Sequence, residues 1–497
     1  MNTEKTSEKQ DRLEKLAKLK EKNINPYPSK VQRSHEIKKV LDNFKDFEES
    51  QEELFLTGRL KSKRGHGNLT FSNLQDASGQ LQLALSKKEL GDDEYKNFVK
   101  LIDMGDFIQV KGTCFVTHKG ENSIMVKEWE ILSKAIRPLP EKWHGLSDAD
   151  KRQRFRELEM ISDREVFDKF NRRSSAIKTI REFMWSNNFT EIETPILQTV
   201  YGGTYAKPFI TRYNALDFDL FLRIAPEIFL KRSIAGGFEK IFEIGKCFRN
   251  EGMGPAHLQE FTMFEFYWPY SDYEKLMDFT EELIREVVSK VYKKFKVKYG
   301  DNEINLEPPF PRITFADLVK KYLKVDLCEI DTVEKLEKFV KDNNLEKEMN
   351  LKEKVGWSAK MDELYKKTIR KKIINPVFVT DYPKEFMALA KTKDNDPKKV
   401  ATFQLVVNSW ELMKAYNELN DPVDQKERFE DQERLTMEGD EEAMPYDHDF
   451  VESMEYGMPP MAGWGMGLDR FFSLLEGEEN LRDMILFPTM KPTSNNS

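Results

Sequence analysis

Cysteine is scarce: three residues, Cys114, Cys247 and Cys328, stand far apart in 497, with no CxxC pair. That excludes a disulfide framework and a cysteine zinc site, and it fits a reducing compartment. A surplus of positive charge is missing too, since 79 Lys and Arg against 87 Asp and Glu leave a net charge of −8. A protein that coats nucleic acid is thereby excluded, and any polynucleotide contact must use local basic patches. There is no apolar run near the length of a membrane span, and the first residues, MNTEKTSEKQDRLEKL, carry charge rather than a hydrophobic leader. The expectation is a cytoplasmic protein with no membrane partner. What the chain does have is 39% apolar residues, enough for two or three cores.

Residues 1–50 read as a helical extension, with Leu13, Leu16 and Leu19 on one stripe of a largely solvated helix; a nucleic-acid contact is the alternative. From 51 to 135 the pattern changes to five short strands punctuated by glycine, with a helix near 89–101, which predicts a small β-barrel of the OB type. Such barrels bind single strands through exposed aromatics and basic loops. The loop KSKRGHG (61–67) is basic, Phe71 reads as out of phase with a core-facing Leu69, and Leu81, Leu83 and Leu85 point inward with Gln82 outward. Residues 136–160 read as a linker, and 161–497 as a large α+β domain. Within it, residues 163–187 read as a helix, 189–197 as a strand and 305–372 as a small helical insertion away from the chemistry.

The stretch 241–267, IFEIGKCFRNEGMGPAHLQEFTMFEFY, reads as two aromatic, β-branched strands joined by a loop with Gly252, Gly254 and Pro255. A period of two puts Phe242, Ile244 and Phe248 on one face and Glu243, Gly245, Cys247 and Arg249 on the other. On the return strand Thr262, Phe264 and Phe266 share one side, and Phe261, Met263, Glu265 and Tyr267 the other. A surface that gathers a guanidinium, carboxylates, a phenol and a flat ring inside an apolar sheet is expected to be a ligand floor. The glycines of YGGTYAKPF (201–209) allow a backbone to approach a ligand closely. FQLVVNSWELMKAYNELNDPVDQ (403–425) mixes a strand with acids of which Glu411 and Glu418 are the informative ones, since hard cations need oxygen ligands. AGWGMGLDRFF (462–472) sets three alternating glycines before a helix starting near Leu468, as a tight strand-to-helix turn does.

Arg249 and Glu251 in FRNEG, with His257 and Phe261, resemble motif 2 of the class II aminoacyl-tRNA synthetases. The helix, strand and Pro195 resemble motif 1, and AGWGMGLDRFF with RDMILFP (482–488) resembles motif 3. APEIFLKR (225–232) and EFTMFEFY (260–267) resemble the lysyl-tRNA synthetases in particular, from about Leu13 to the end. The resemblance implies an N-terminal OB-fold barrel followed by a catalytic domain with a central antiparallel sheet flanked by helices, and a homodimer joined through motif 1. It implies ATP-dependent ligation of L-lysine to tRNA(Lys) through a lysyl-adenylate, with ATP and Mg2+ required. Carried over residue by residue, it gives Arg249 and Arg470 catalytic roles and places ATP at Arg249, Glu251, His257, Phe261, Glu411 and Arg470. It puts lysine at Gly203, Glu227, Arg249, Glu265, Tyr267, Lys414, Tyr416, Glu418 and Gly463, and the metal at Glu411 with Gln404 and Glu418 as further oxygens. It assigns the anticodon to Lys63, Arg64, Phe71, Gln82 and Glu128. The chain departs from the family at Lys414 for asparagine, Gln404 for a metal-binding glutamate, Ala256 for arginine, Met387-Ala388 for Ser-Pro and Met461 for threonine. A related ligase for another amino acid or a modified lysine, or a silent tRNA-binding paralogue, are the alternatives.

Overall fold

The structure, a computed structural model, describes the chain except residues 1, 140–148, 253, 347–348, 350, 352–353, 355, 438–443 and 493–497. It divides into two compact units, 1–148 with 157–163, and 149–156 with 164–497.

In the first unit β1 (Leu54–His66), β2 (Leu69–Gln75), β3 (Gln80–Ser86), β4 (Phe107–Val116) and β5 (Asn122–Ser133) close into the expected barrel, in the order β1-β2-β3-β5-β4. Leu81, Leu83 and Leu85 are buried, as the alternation requires. Leu69 is a correction: it shares the outer face with Phe71, two residues on, while Thr70, Ser72 and Leu74 face inward. The N-terminal extension is no separate layer. Leu19, Ile37, Val40 and Phe44 join the barrel's core, Arg12 donates to the carbonyls of Met104 and Ala135, and Lys15 pairs with Asp103 at 2.9 Å. Lys63, expected near phosphates, instead turns inward. Its Nζ donates to the carbonyls of Phe98, Val99 and Ile102 at 3.2, 2.6 and 2.6 Å, at the C-terminal end of the helix Asp92–Leu101. The last carbonyls of a helix lack intrahelical donors, and an ammonium there meets both their hydrogen-bonding need and the dipole. Burial pushes the Lys63 ammonium down to about 8.

In the second unit β6 (Thr190–Glu191), β10 (Ile241–Phe248) and β11 (Glu260–Pro269) join β14 (Arg312–Thr314), β15 (Val377–Thr380), β18 (Thr402–Val407), β19 (Trp410–Asn417) and β20 (Met461–Gly467) in one sheet. The order is β14-β15-β18-β19-β20-β11-β10-β6, antiparallel through the middle and parallel at its two edge pairs. A smaller sheet runs β7 (Leu197–Gln198), β9 (Phe218–Leu222), β8 (Ile210–Tyr213). Hairpins β12 (Lys296–Tyr299) with β13 (Asn302–Asn305), and β16 (Thr392–Lys393) with β17 (Asp396–Val400), lie outside both.

Four expectations change. The strand foreseen at 189–197 pairs only at Thr190–Glu191 and resumes at Leu197–Gln198 in the other sheet; Pro195 between them has no N–H to donate. Residues 403–417 are two antiparallel strands, because Asn408 (φ 45°) and Ser409 (φ 68°) turn through the left-handed region of a tight hairpin. The segment 305–372 is not a remote insertion: β14 is part of the main sheet, and Phe315, Tyr365 and Ile369 lie in a core shared with Tyr267 and Tyr416. The linker foreseen at 136–160 is also shorter. Gln153 donates to Asp483 at 3.2 Å and Arg156 to the carbonyl of Arg482, so residues 149–156 belong to the second unit; the resembling words from 140 to 146 lie outside the described residues.

One face of the main sheet is filled by Phe242, Phe264, Phe266, Met413, Ala415, Trp464 and Met466, all buried, with Phe266 stacked on Trp464 at 4.9 Å. The helices Arg164–Ser186, Tyr273–Val287 and Leu468–Glu476 contribute Ile180, Leu276, Leu283 and Phe471 to the same core. The other face is left for the site. For the barrel, Lys63→Met strands three carbonyls, and a local loss of about 1–3 kcal/mol is expected. Amide hydrogen exchange across residues 92–102 is expected to speed up, with the amides of the second unit unchanged.

Candidate active site

The free face of the sheet follows from register. Met263, Glu265 and Tyr267 on β11 stand opposite Gly467, Gly465 and Gly463 on β20, and on the other side Lys414 and Tyr416 of β19 stand opposite Gly465 and Gly463. The glycine-rich segment is therefore a central strand rather than a turn, with three positions on one face that carry no side chain. At Gly463 none is possible: a Cβ would lie 1.9 Å from Glu418 Oε1 and 2.6 Å from Tyr267 Cε1. Over this bare strip lies a cavity of about 290 Å³. Gly203, Glu227, Arg249, Glu251, His257, Phe261, Glu265, Tyr267, Glu411, Lys414, Tyr416, Glu418, Gly463 and Arg470 all line it. Of the residues expected at the active site, Gln404 is the exception. Its Oε1 accepts from the Tyr382 hydroxyl at 2.8 Å, and it does not line the cavity.

One end of the cavity is acidic, and its side chains Glu227, Glu265, Tyr267, Tyr416 and Glu418 are buried. The Tyr416 hydroxyl donates to Glu227 Oε1 at 2.7 Å, and Tyr267 donates to Glu265 Oε2 at 3.3 Å. Burial, then the neighbouring Glu227 and Glu243, push Glu265 well above its ordinary value, which favours the protonated form. Gly203, at φ +92°, lets its backbone lie against Glu227, where a Cβ would be 3.0 Å from the Glu227 Cβ.

Behind these acids stands a residue the sequence reading missed. Lys231 is fully buried, with Nζ 2.6 Å from Glu227 Oε1 and 2.5 Å from Glu418 Oε2. Its signal was present as a Glu–Lys pair four residues apart on the helix Glu227–Ala235, amid Ile228, Leu230 and Ile234. The contact with Glu418 is an ion contact without hydrogen-bond alignment, and Glu418 Oε1 has no hydrogen-bond partner among the described residues. Burial raises the Glu418 carboxyl to about 8, with Lys231 pulling the other way. Glu418 Oε2 is thus taken by Lys231, and no group of three or more His, Cys, Asp or Glu among the described residues is placed to hold a metal.

The other end is cationic and aromatic. The Arg249 guanidinium lies 4.9 Å from the centre of the Phe261 ring, and its Nε donates weakly to the Ile224 carbonyl. Arg470 donates to the backbone carbonyl of Glu411 at 3.3 Å. Asp469 accepts from the Thr262 amide at 2.7 Å and pairs with Arg173 at 2.9 Å, which fixes the first turn that carries Arg470. The His257 imidazole is lowered from its ordinary value by lost hydration and by the charge of Arg470. A second missed network ties the floor to the broken strand. Arg223, under Gly245, donates to Glu243 Oε1 at 2.5 Å and to Thr194 at 3.0 Å, while Thr194 donates to Glu243 Oε2 at 2.7 Å.

On the barrel, register sets Arg64, Phe71 and Ala84 in one row and Asn73, Gln82 and Ser123 in the next, with Ala84 and Ser123 buried. Gln82 donates to Ser123 at 2.9 Å, and Glu128 is exposed and paired with Lys111 at 3.2 Å.

Comparison with known proteins agrees with this geometry. Residues 148–491 match the family of tRNA synthetases class II (D, K and N), and residues 55–132 match the OB-fold nucleic acid binding domain. The lysine–tRNA ligase of Carboxydothermus hydrogenoformans is 43% identical over 97% of this chain and 97% of its own length. Those of Pelotomaculum thermopropionicum and Clostridium tetani are 42% and 43% identical, over 97% and 98% of this chain and 94% and 96% of theirs. With two domain matches in register and near full-length identity above 40%, the chain belongs to the class II lysyl-tRNA synthetases.

Proposed function

We propose that the cavity is where L-lysine and ATP meet, and that the enzyme joins lysine to tRNA(Lys) through a lysyl-adenylate. The observation that carries the reading is the unpartnered Glu418 Oε1, buried in the cavity wall beside Tyr267 where Gly463 leaves the space open. A buried carboxylate oxygen without a donor is costly, and a side-chain ammonium supplies the donor and the charge together.

In this reading Glu418 and Tyr267 receive the ε-ammonium, Glu227 the α-amino group, and Lys414 and Arg249 the carboxylate. Lys414 lines the cavity beside the Tyr416 ring. Adenine lies on Phe261 with Glu251 accepting from its amino group, and His257 and Arg470 hold the outer phosphates. A lysine carboxylate oxygen attacks the α-phosphorus, the bond to the bridging oxygen of the β-phosphate breaks, and pyrophosphate leaves. The terminal hydroxyl of tRNA then attacks the acyl carbon and AMP departs. Both steps need placement and charge neutralisation rather than a covalent nucleophile on the protein. Magnesium entering with ATP neutralises phosphate charge, and Glu411 is the carboxylate that would hold it, since Mg2+ takes one or two carboxylates plus phosphate oxygens.

The anticodon would lie on the outer face of the barrel, stacked on Phe71 beside Arg64, Gln82 and Glu128. The exposed Ile196, Leu197, Ile210 and Leu216, on and around the smaller sheet, support a homodimer formed there. The three cysteines are free, and no helix among the described residues is long and apolar enough to cross a membrane, which suits the cytoplasm.

Pyrophosphate exchange run with each of the twenty amino acids is expected to respond to lysine alone, and exchange with another amino acid instead overturns the reading. Arg249→Ala is expected to lower kcat by about 10²–10³. Gly463→Ala drives a methyl into Glu418, so KM for lysine is expected to rise at least about tenfold with KM for ATP unchanged. The pH dependence has a definite sign. Glu418 is raised to about 8 in the empty protein, so its proton must leave before an ammonium binds, and KM for lysine is expected to fall as pH rises toward 8.

A further inference from the structure

Lys231 does not line the cavity, yet it touches two of the carboxylates that do. Those carboxylates come from different elements: Glu227 opens the helix Glu227–Ala235, and Glu418 follows the end of β19. A single ammonium therefore sets the distance between a helix and a strand end at the floor of the pocket. The rings of Tyr416 and Phe450, 5.6 and 5.9 Å from Nζ, cover it on other sides.

The consequence for the ligand is geometric first. Lys231 holds Glu418 by Oε2, which decides where the unpartnered Oε1 points. Tyr416 donates to the same Glu227 oxygen that Lys231 holds, so that carboxylate is fixed from two directions. The second consequence is charge. An ammonium 2.6 and 2.5 Å from the two carboxyl groups favours their ionised forms, the forms that attract an incoming cation. Without Lys231 both carboxyl groups would lie buried with no cation between them, which favours their protonated forms further and weakens the attraction for an ammonium. Lys414, also near Glu418, is half-buried on the cavity floor and acts on it more weakly.

We propose that Lys231 is a positioning and specificity-determining residue of the amino-acid pocket, a built-in cation that aims Glu227 and Glu418 so that the pocket takes one side-chain ammonium. The proposal rests on the assignment of this cavity to lysine.

The test uses the full chain: wild type, Lys231→Met, Glu227→Gln, and the two substitutions combined. In lysine-dependent pyrophosphate exchange, Lys231→Met is expected to raise KM for lysine at least about tenfold, with KM for ATP and kcat at saturating lysine within about twofold. Preference for lysine over norleucine, the same chain without the ammonium, is expected to fall by a similar factor. If Lys231→Met does not fold, the combined variant against Glu227→Gln carries the test, because Glu227→Gln keeps the contact between Lys231 and Glu418; the same increase is expected there. An unchanged KM for lysine in the folded comparison, or KM values for lysine and ATP that rise together, overturns the proposal. A wild type that shows no lysine-dependent exchange overturns the assignment of the cavity and this proposal with it.

Discussion

A charge taken out of water must meet its opposite, and the acidic end of the cavity is arranged around that requirement. Glu227 and Glu418 meet it through one shared ammonium, Lys231, at 2.6 and 2.5 Å. Glu265 meets it differently: burial pushes its pKa up and favours the neutral acid, and the Tyr267 hydroxyl donates to its oxygen. Glu418 Oε1 is left over. That remainder is what the proposed lysine pocket rests on, because a buried carboxyl oxygen asks for a donor, and an ammonium brings a positive charge with it.

Such an arrangement needs a surface with room on one side and rigidity on the other. Strand β20 supplies both by alternation: Gly463, Gly465 and Gly467 on the cavity face, Trp464 and Met466 in the core. The stack of Phe266 on Trp464 and the helices behind it hold the strand, while the missing side chains open the space above. Asp469 and Arg173 hold Arg470 from one edge, and Arg223 with Glu243 and Thr194 braces the hairpin that carries Arg249. The two arginines are thus held through ion pairs between their neighbours, Arg173 with Asp469 and Arg223 with Glu243. Preorganised charge of this kind lowers a barrier without reorganisation during reaction.

The barrel follows the same rule on a smaller scale. Lys134, fully buried, pairs with Asp103 and Asp106 at 2.6 and 2.8 Å, and Lys15 of the N-terminal helix joins at Asp103. Lys63 goes to the carbonyls of a helix end instead of to the surface. Lys63, which the family resemblance assigned to the anticodon, is structural, because unpaired carbonyls inside the fold compete for it first.

Periodicity made much of this legible. The five strands of the barrel, the two faces of the hairpin 241–267 and the inward leucines of β3 all follow from a period of two. The ATP, lysine and metal residues carried over from a family resemblance all line one cavity apart from Gln404. What the sequence could not decide was anything set by a partner distant along the chain. Lys231 meets Glu418 across 187 positions, Lys63 finds a helix end 35 to 39 residues away, and β14 joins a sheet whose next strand begins more than sixty residues later. Alternation and turn chemistry are local and can be read in order. Where a buried charge finds its counter-charge is fixed only when the strands are in register, because an ion pair depends on distance in space and not on separation along the chain.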